Sequence, residues 1–270
     1  MKGTAMETIP PYSSYHYFRD PTVQSFCPQT LIDLSILAYD NEENARKVLK
    51  ASPFQFQEFL DYKSTQALIV RNNEGKIAVA FRGTSTFNLA DWRTDFECAQ
   101  ADFNPLTFEQ AKCKGVGETR IHQGFAEAYM VARYRILSIF AAAKRHPFIF
   151  TGHSLGGALA TVAAWDCGNH SPGVSLVTFG SPRVGCGNFG REIMEHIEAC
   201  FRFVHGDDLV PTLPLEHMGY EHICAPSLLS QMKRPWINIF VPRQVFDHVP
   251  TLYAQRLWEN KNNPLDIHAS

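Results

Sequence analysis

Ser154 lies in Gly152-His153-Ser154-Leu155-Gly156, a serine held in the spacing G-x-S-x-G. A serine hydroxyl attacks a carbonyl carbon only when it is exposed and a nearby base takes its proton. The spacing meets the first condition. Glycines two residues to either side remove the side chains that would collide across a sharp bend. At the tip of such a bend the hydroxyl stands clear, and the next backbone N–H can face a developing oxyanion. The flanking residues fit that geometry. Pro147-Phe148-Ile149-Phe150 reads as a short buried strand, and Ala158 to Trp165 as a helix rich in small residues.

The second condition calls for a histidine oriented by a carboxylate, and in open parallel sheets such groups gather beyond the carboxyl ends of strands. Downstream of Ser154, the strand-like run Phe201 to His205 ends in Gly206-Asp207-Asp208, which makes Asp207 or Asp208 the acid. Asp166 and Glu195 fall within helical stretches and read as solvated surface charges. The histidines beyond the acid are His217, His222, His248 and His268. His268 belongs to a tail that frays. His248, in Asp247-His248-Val249-Pro250, precedes the last helix, a place from which an imidazole reaches back over the sheet edge. His153 reads as packing under the turn, His122 as capping or packing the long helix, and Arg82 as a structural ion-pair residue. No His-Glu-x-x-His run or paired Cys/His cluster offers a metal site, and serine chemistry of this kind needs neither metal nor cofactor.

The elements that position these residues alternate along the chain. Gln29 to Tyr39 and Glu42 to Lys50 have helical patterns. Ala67 to Val70 and Ile77 to Phe81 form a hairpin around Asn72-Asn73-Glu74-Gly75. Arg82 to Thr86 leaves the hairpin as a small-residue loop. Gly124 to Arg145 is the clearest amphipathic helix, with Phe125, Tyr129, Ala132, Ile136, Ile139, Phe140 and Ala143 on one face. Beyond the serine come a strand at Val174 to Gly180, a helix at Asn188 to Ala199, the strand at Phe201, a further strand at Trp236 to Val241, and a helix at Pro250 to Asn260. This order predicts an α/β fold: one domain with a mainly parallel sheet and helices on both faces, after an extended lead-in over residues 1–28.

The 270 residues are 45% hydrophobic and 19% charged, enough apolar material for a substantial core. The net charge of −2, with no sustained Lys/Arg block, argues against nucleic acid as a partner. No apolar run reaches the length of about 18 residues that a membrane span needs. Met1 to Asp20 lacks the apolar stretch of a secretory signal. The seven cysteines, Cys27, Cys98, Cys113, Cys167, Cys186, Cys200 and Cys224, are scattered, which suits reduced thiols better than a disulfide framework. Together these features lead to the expectation of a cytoplasmic protein, with secretion as the alternative if a signal was removed or export follows a non-standard route.

Four segments in order, Val79-Ala80-Phe81-Arg82-Gly83-Thr84, Thr151 to Ala158, Thr178 to Gly185 and Val204 to Pro211, make the chain resemble the fungal-type, or class three, lipases of the α/β-hydrolase fold. Ile121 to Phe125 adds a weaker match, and together they cover about Ala67 to Pro214. The resemblance implies Ser154 as nucleophile, Asp208 as acid and His248 as base, with Thr84 and the backbone N–H of Leu155 as oxyanion donors. It also implies a lid at about Ser85 to Phe96, which Phe87, Leu89, Trp92 and Phe96 would make apolar on one side for transient contact with a lipid interface. The expected activity is hydrolysis of lipid or acyl esters, of triacylglycerol lipase or phospholipase A1 type. The rival readings are a catalytically silent scaffold that acts as a binding partner, and an acyltransferase using the same triad. Ala225 to Asp247 matches no pattern.

Overall fold

The computed structural model describes residues 15–62, 65–84, 119–143, 146–170, 172–231 and 242–260. Within them, β1 (Gln55–Tyr62), β2 (Thr65–Arg71), β3 (Ile77–Phe81), β4 (Phe148–His153), β5 (Val174–Phe179), β6 (Ala199–His205) and β7 (Pro226–Leu229) lie side by side in chain order. The first three run antiparallel, and β3 to β7 are all parallel. Parallel neighbours need a crossover, and helices supply it. These are α3 (Gln123–Ala142) between β3 and β4, α4 (Leu155–Gly168) between β4 and β5, and α5 (Gly187–His196) between β5 and β6. α1 (Pro28–Leu37) and α2 (Glu42–Lys50) precede the sheet, and the short α6 (Arg243–Phe246) and α7 (Pro250–Glu259) follow it.

Side chains alternate across the sheet and feed two cores. Ile77, Val79, Phe81 and Leu176 join Phe125, Tyr129, Ile136, Leu159, Phe189 and Ile193 from α3, α4 and α5. Ala78, Ala80 and Val177 join Leu31, Leu34, Leu49, Tyr253 and Leu257 from α1, α2 and α7. Helices therefore cover both faces, as the α/β-hydrolase arrangement requires.

Register aligns the carboxyl ends of the parallel strands. Phe81 pairs with Gly152, His153 with Phe179, and Phe179 with Phe203. The loops that leave β3, β4, β5 and β6 consequently emerge at one edge of the sheet, and they carry Thr84, Ser154, Gly180 and Asp208.

Two sequence expectations need correction, and one strand was not anticipated. β1 was not read as a strand, and half of its residues are exposed; it forms at the sheet edge, where β2 offers an antiparallel ladder. The helix expected to run to Ala199 stops at His196, and Ala199 and Cys200 enter β6, where they pair with Ser175 and Leu176. Asp166 is not a solvated charge. It is buried, receives two hydrogen bonds from the Arg133 guanidinium at 2.8 and 3.0 Å, and accepts a third from the Tyr129 hydroxyl at 2.8 Å. The expected strand at Trp236 to Phe240, its end Val241, the lid at Ser85 to Phe96 and His268 lie outside the described residues.

Candidate active site

The strand β4 ends at His153, and the next residue turns the chain into α4. Ser154 takes φ 61° and ψ −130°, a backbone conformation that L-residues rarely adopt and that costs roughly 1–3 kcal/mol. Its N–H donates to the Phe179 carbonyl at 3.0 Å, so the parallel ladder grips the residue while the chain reverses. The need for glycine on either side is steric. A Cβ on Gly152 would strike the Gly156 backbone, and one on Gly156 would strike the Phe81 carbonyl. Leu155 opens α4, where backbone N–H groups and the helix dipole favour negative charge.

Ser154 Oγ lies 2.8 Å from His248 Nε2, and His248 Nδ1 lies 2.8 and 3.0 Å from the two carboxyl oxygens of Asp208. The carboxylate has only acceptors, so Nδ1 carries the proton and Nε2 is left to accept from the serine hydroxyl. All three residues are over nine-tenths buried, at 2%, 9% and 3% exposure for Ser154, His248 and Asp208. Asp208 is compensated by two further donors, the Tyr253 hydroxyl at 2.5 Å and the Val210 N–H at 2.9 Å. Burial pushes the Tyr253 hydroxyl well above its ordinary range, which keeps it a donor.

The backbone of His248 is held from beneath. His153 Nε2 donates to the His248 carbonyl at 2.8 Å, and the Tyr39 hydroxyl donates to His153 Nδ1 at 3.0 Å. Burial, and then the neighbouring His248, hold His153 well below the usual imidazole range, so it stays neutral with one donor and one acceptor. His153 is buried beside the turn, as its sequence position suggests, and it also holds the His248 backbone. Gly180 seals the floor. With φ at +56°, it leaves a space in which a Cβ would lie 2.8 Å from Asp208 Oδ2 and 3.2 Å from His248 Nδ1.

Of the two candidate acids, the structure brings Asp208 to the base. Asp207 is exposed, and its carboxyl accepts from Gln231 at 2.5 Å. Among the candidate bases, His217 is exposed in a short turn. His222 lies 2.7 Å from the Pro211 carbonyl, and burial lowers it to about 3. His248 alone of these three meets Ser154. Thr84 is exposed, three residues beyond the Phe81–Gly152 pair, in the loop that leaves β3. Two contributors carried no sequence signal: Tyr39 and Tyr253, whose positions become meaningful only once the elements around them pack together. His122 packs its ring against Phe125 with centroids 4.4 Å apart at the start of α3.

Residues 78–218 match the family described as Lipase (class 3). The chain is 37% identical over 155 residues to the secreted mono- and diacylglycerol lipase 1 of Fusarium solani, a match covering 56% of this chain and 43% of that protein. It is 31% identical over 161 residues to the secreted mono- and diacylglycerol lipase A of Penicillium cyclopium, covering 58% and 48%. The chain thus spans under half the length of these curated relatives. Among solved structures it resembles a lipase from Rhizopus microsporus var. chinensis at 26% identity and TM-score 0.56, covering 72% of this chain and 67% of that one. The cytoplasmic expectation is overturned by these relatives, which are described as secreted. No described helix is long and apolar enough to cross a membrane. The matched residues hold nearly all of β3, the strands β4 to β6, the serine turn and Asp208, and over them this chain belongs to the class 3 lipase family.

Proposed function

We propose that this protein is a serine hydrolase of carboxylic esters, with acylglycerols as its substrate class. The single observation that carries the reading is the unbroken hydrogen-bonded line from Ser154 Oγ through the His248 ring to Asp208. The descriptions of the Fusarium and Penicillium relatives as mono- and diacylglycerol lipases support the substrate class. In this reading His248 Nε2 takes the Ser154 proton as Oγ attacks the ester carbonyl. Asp208 compensates the imidazolium that forms. The backbone N–H of Leu155 and the Thr84 residue receive the oxyanion, where preorganised donors act most strongly. His248 then gives its proton to the departing alcohol, and water, activated by the same ring, releases the acid from the acyl-enzyme.

The test is labelling with a fluorophosphonate, followed by turnover of mono-, di- and triacylglycerol and of phospholipid with product analysis. Labelling at Ser154 with release of free fatty acid from acylglycerols is the expected result. No labelling at Ser154 would mean a silent scaffold, and transfer of the acyl group to added glycerol in place of water would mean an acyltransferase. Release from the sn-1 position of phospholipid alone would move the substrate class to phospholipase A1.

A further inference from the structure

Cys200 and Cys224 lie 24 residues apart in sequence, yet their sulfur atoms are 2.7 Å apart. The sheet explains the meeting. β6 and β7 are parallel, with Arg202 opposite Pro226 and Phe203 opposite Ser227. Cys200 lies in β6 two residues before Arg202, and Cys224 lies in the bend two residues before β7 begins, so the start of this ladder brings the two together. Neighbouring strands are about 4.8 Å apart, within the Cα separation that a disulfide spans. The Arg202 Nε–H also donates to the Cys224 carbonyl at 3.1 Å, which anchors the chain before β7 against β6. Both cysteines are half-buried, so a reagent can reach them. By contrast, Cys167 is fully buried in α4.

We propose that Cys200 and Cys224 form an intramolecular disulfide that staples β7 to β6 and closes the loop bearing Asp208. The pair is polarised for this chemistry. A hydrogen bond from the Cys200 thiol, aided by Arg202, draws Cys224 below the usual thiol range, while the same contact and burial push Cys200 up. Cys224 is therefore the attacking thiolate. The oxidant is a disulfide-carrying molecule of low molecular weight or an oxidoreductase with a reactive disulfide. The Cys224 thiolate attacks one sulfur of that disulfide, forming a mixed disulfide and expelling one thiolate. Cys200 loses its proton and attacks the Cys224 sulfur, forming the Cys200–Cys224 bond and expelling the second thiolate. Two thiols are oxidised, the oxidant's disulfide is reduced to two thiols, and both protons pass to the products.

The staple would constrain the segment from Cys200 to Cys224, which contains β6, Asp208 and Val210, the residue whose N–H caps the carboxylate. A cross-link of this kind stabilises chiefly by restricting the unfolded chain.

The experiment uses the whole protein, incubated with oxidised glutathione, quenched in acid, alkylated with N-ethylmaleimide in denaturant and mapped by mass spectrometry. The expected result is a peptide pair joined through Cys200 and Cys224, two hydrogens lighter than the reduced pair. Cys167 should carry the maleimide. Thermal unfolding should then show a Tm higher by about 5 °C or more than that of the protein held in dithiothreitol. Cys200→Ser and Cys224→Ser should each remove the joined peptides and make Tm indifferent to the oxidant. Because the peptide map is read on the wild-type chain, the test stands even if a variant fails to fold. Maleimide on both Cys200 and Cys224 after oxidation, either residue left joined to glutathione, or either joined to another cysteine would each overturn the proposal.

Discussion

The Asp247 carboxylate accepts a hydrogen bond from the Asp207 backbone N–H at 2.9 Å, so the residue before His248 holds the residue before Asp208. Arg243 donates to the same oxygen at 2.9 Å, and His205 Nδ1 donates to the Asp247 carbonyl at 3.0 Å. Asp208 arrives on the loop after β6 and His248 on the turn before α7. Asp247 is the clasp that sets the two loops at hydrogen-bonding distance.

Asp247→Ala is expected to lower ester turnover by about 10-fold or more, because the loops then hold the base–acid pair less well and a small misplacement is costly. Asp207→Asn keeps the backbone N–H that the clasp uses and should stay within about threefold of wild type. Asp208→Asn should fall by roughly 10⁴-fold, since the amide leaves the imidazole in the wrong tautomer. Steady-state kinetics on a soluble short-chain ester ranks the three. If Asp207→Asn is the most damaging, the acid is misassigned by one residue.

Ser154→Ala and His248→Ala should each reduce kcat by roughly 10⁴-fold or more, and the double variant should be no worse than either single one, because the two groups act as a unit. Unfolding midpoints close to wild type would show that the loss is chemical. Retention of activity within tenfold in either variant would remove that residue from the proposed triad.

Gly180→Ala is expected to cost most of the activity although residue 180 has no polar side chain to lose. Its Cβ would press on Asp208 and His248, and its φ of +56° disfavours any side chain. Fluorophosphonate labelling rates should fall together with ester turnover. A variant that folds and labels at the wild-type rate would place Gly180 outside the site.

Asp33 yields a pH-dependent prediction far from the chemistry. It is fully buried in α1 and accepts from the Tyr15 hydroxyl at 2.5 Å, the Phe18 N–H at 2.6 Å and the Trp258 indole at 3.3 Å. Burial raises its carboxyl to about 7. Between the unfolded value of about 4 and this folded value, the folded protein keeps a proton that the unfolded chain has released. Stability from this group is therefore fully present below about pH 4 and declines as pH rises toward 7. Buried His122 and half-buried His222, lowered to about 4 and about 3 by desolvation, act in the opposite sense by losing stability as pH falls. Comparison with Asp33→Asn isolates the aspartate. Relative to the variant, wild type should lose on the order of a few kcal/mol between pH 4 and 8 in urea unfolding. Parallel pH curves for the two proteins would refute it.

The sequence by itself determined the serine turn, the alternation of strands and helices, and the position of an acid after β6. These are local properties, written in glycine spacing and in apolar periodicities that a single segment carries. The hairpin, α2 and α7 were legible for the same reason. Only the tertiary structure brings the ring of His248, which sequence position and the family resemblance had singled out, to Ser154, because the two are joined by sheet register and by the docking of α7, which no local pattern records. The same holds for Asp208 over Asp207, where one carboxyl faces the base and the other faces Gln231. It holds for Asp166, which looks like a surface charge along its helix until α3 brings Arg133 and Tyr129 against it. Cys200 and Cys224 read as unrelated thiols in the chain; the parallel pairing of β6 with β7 makes them neighbours. Periodicity reports which face of an element is buried, whereas contacts between distant residues depend on register and packing, and these exist only in the folded chain.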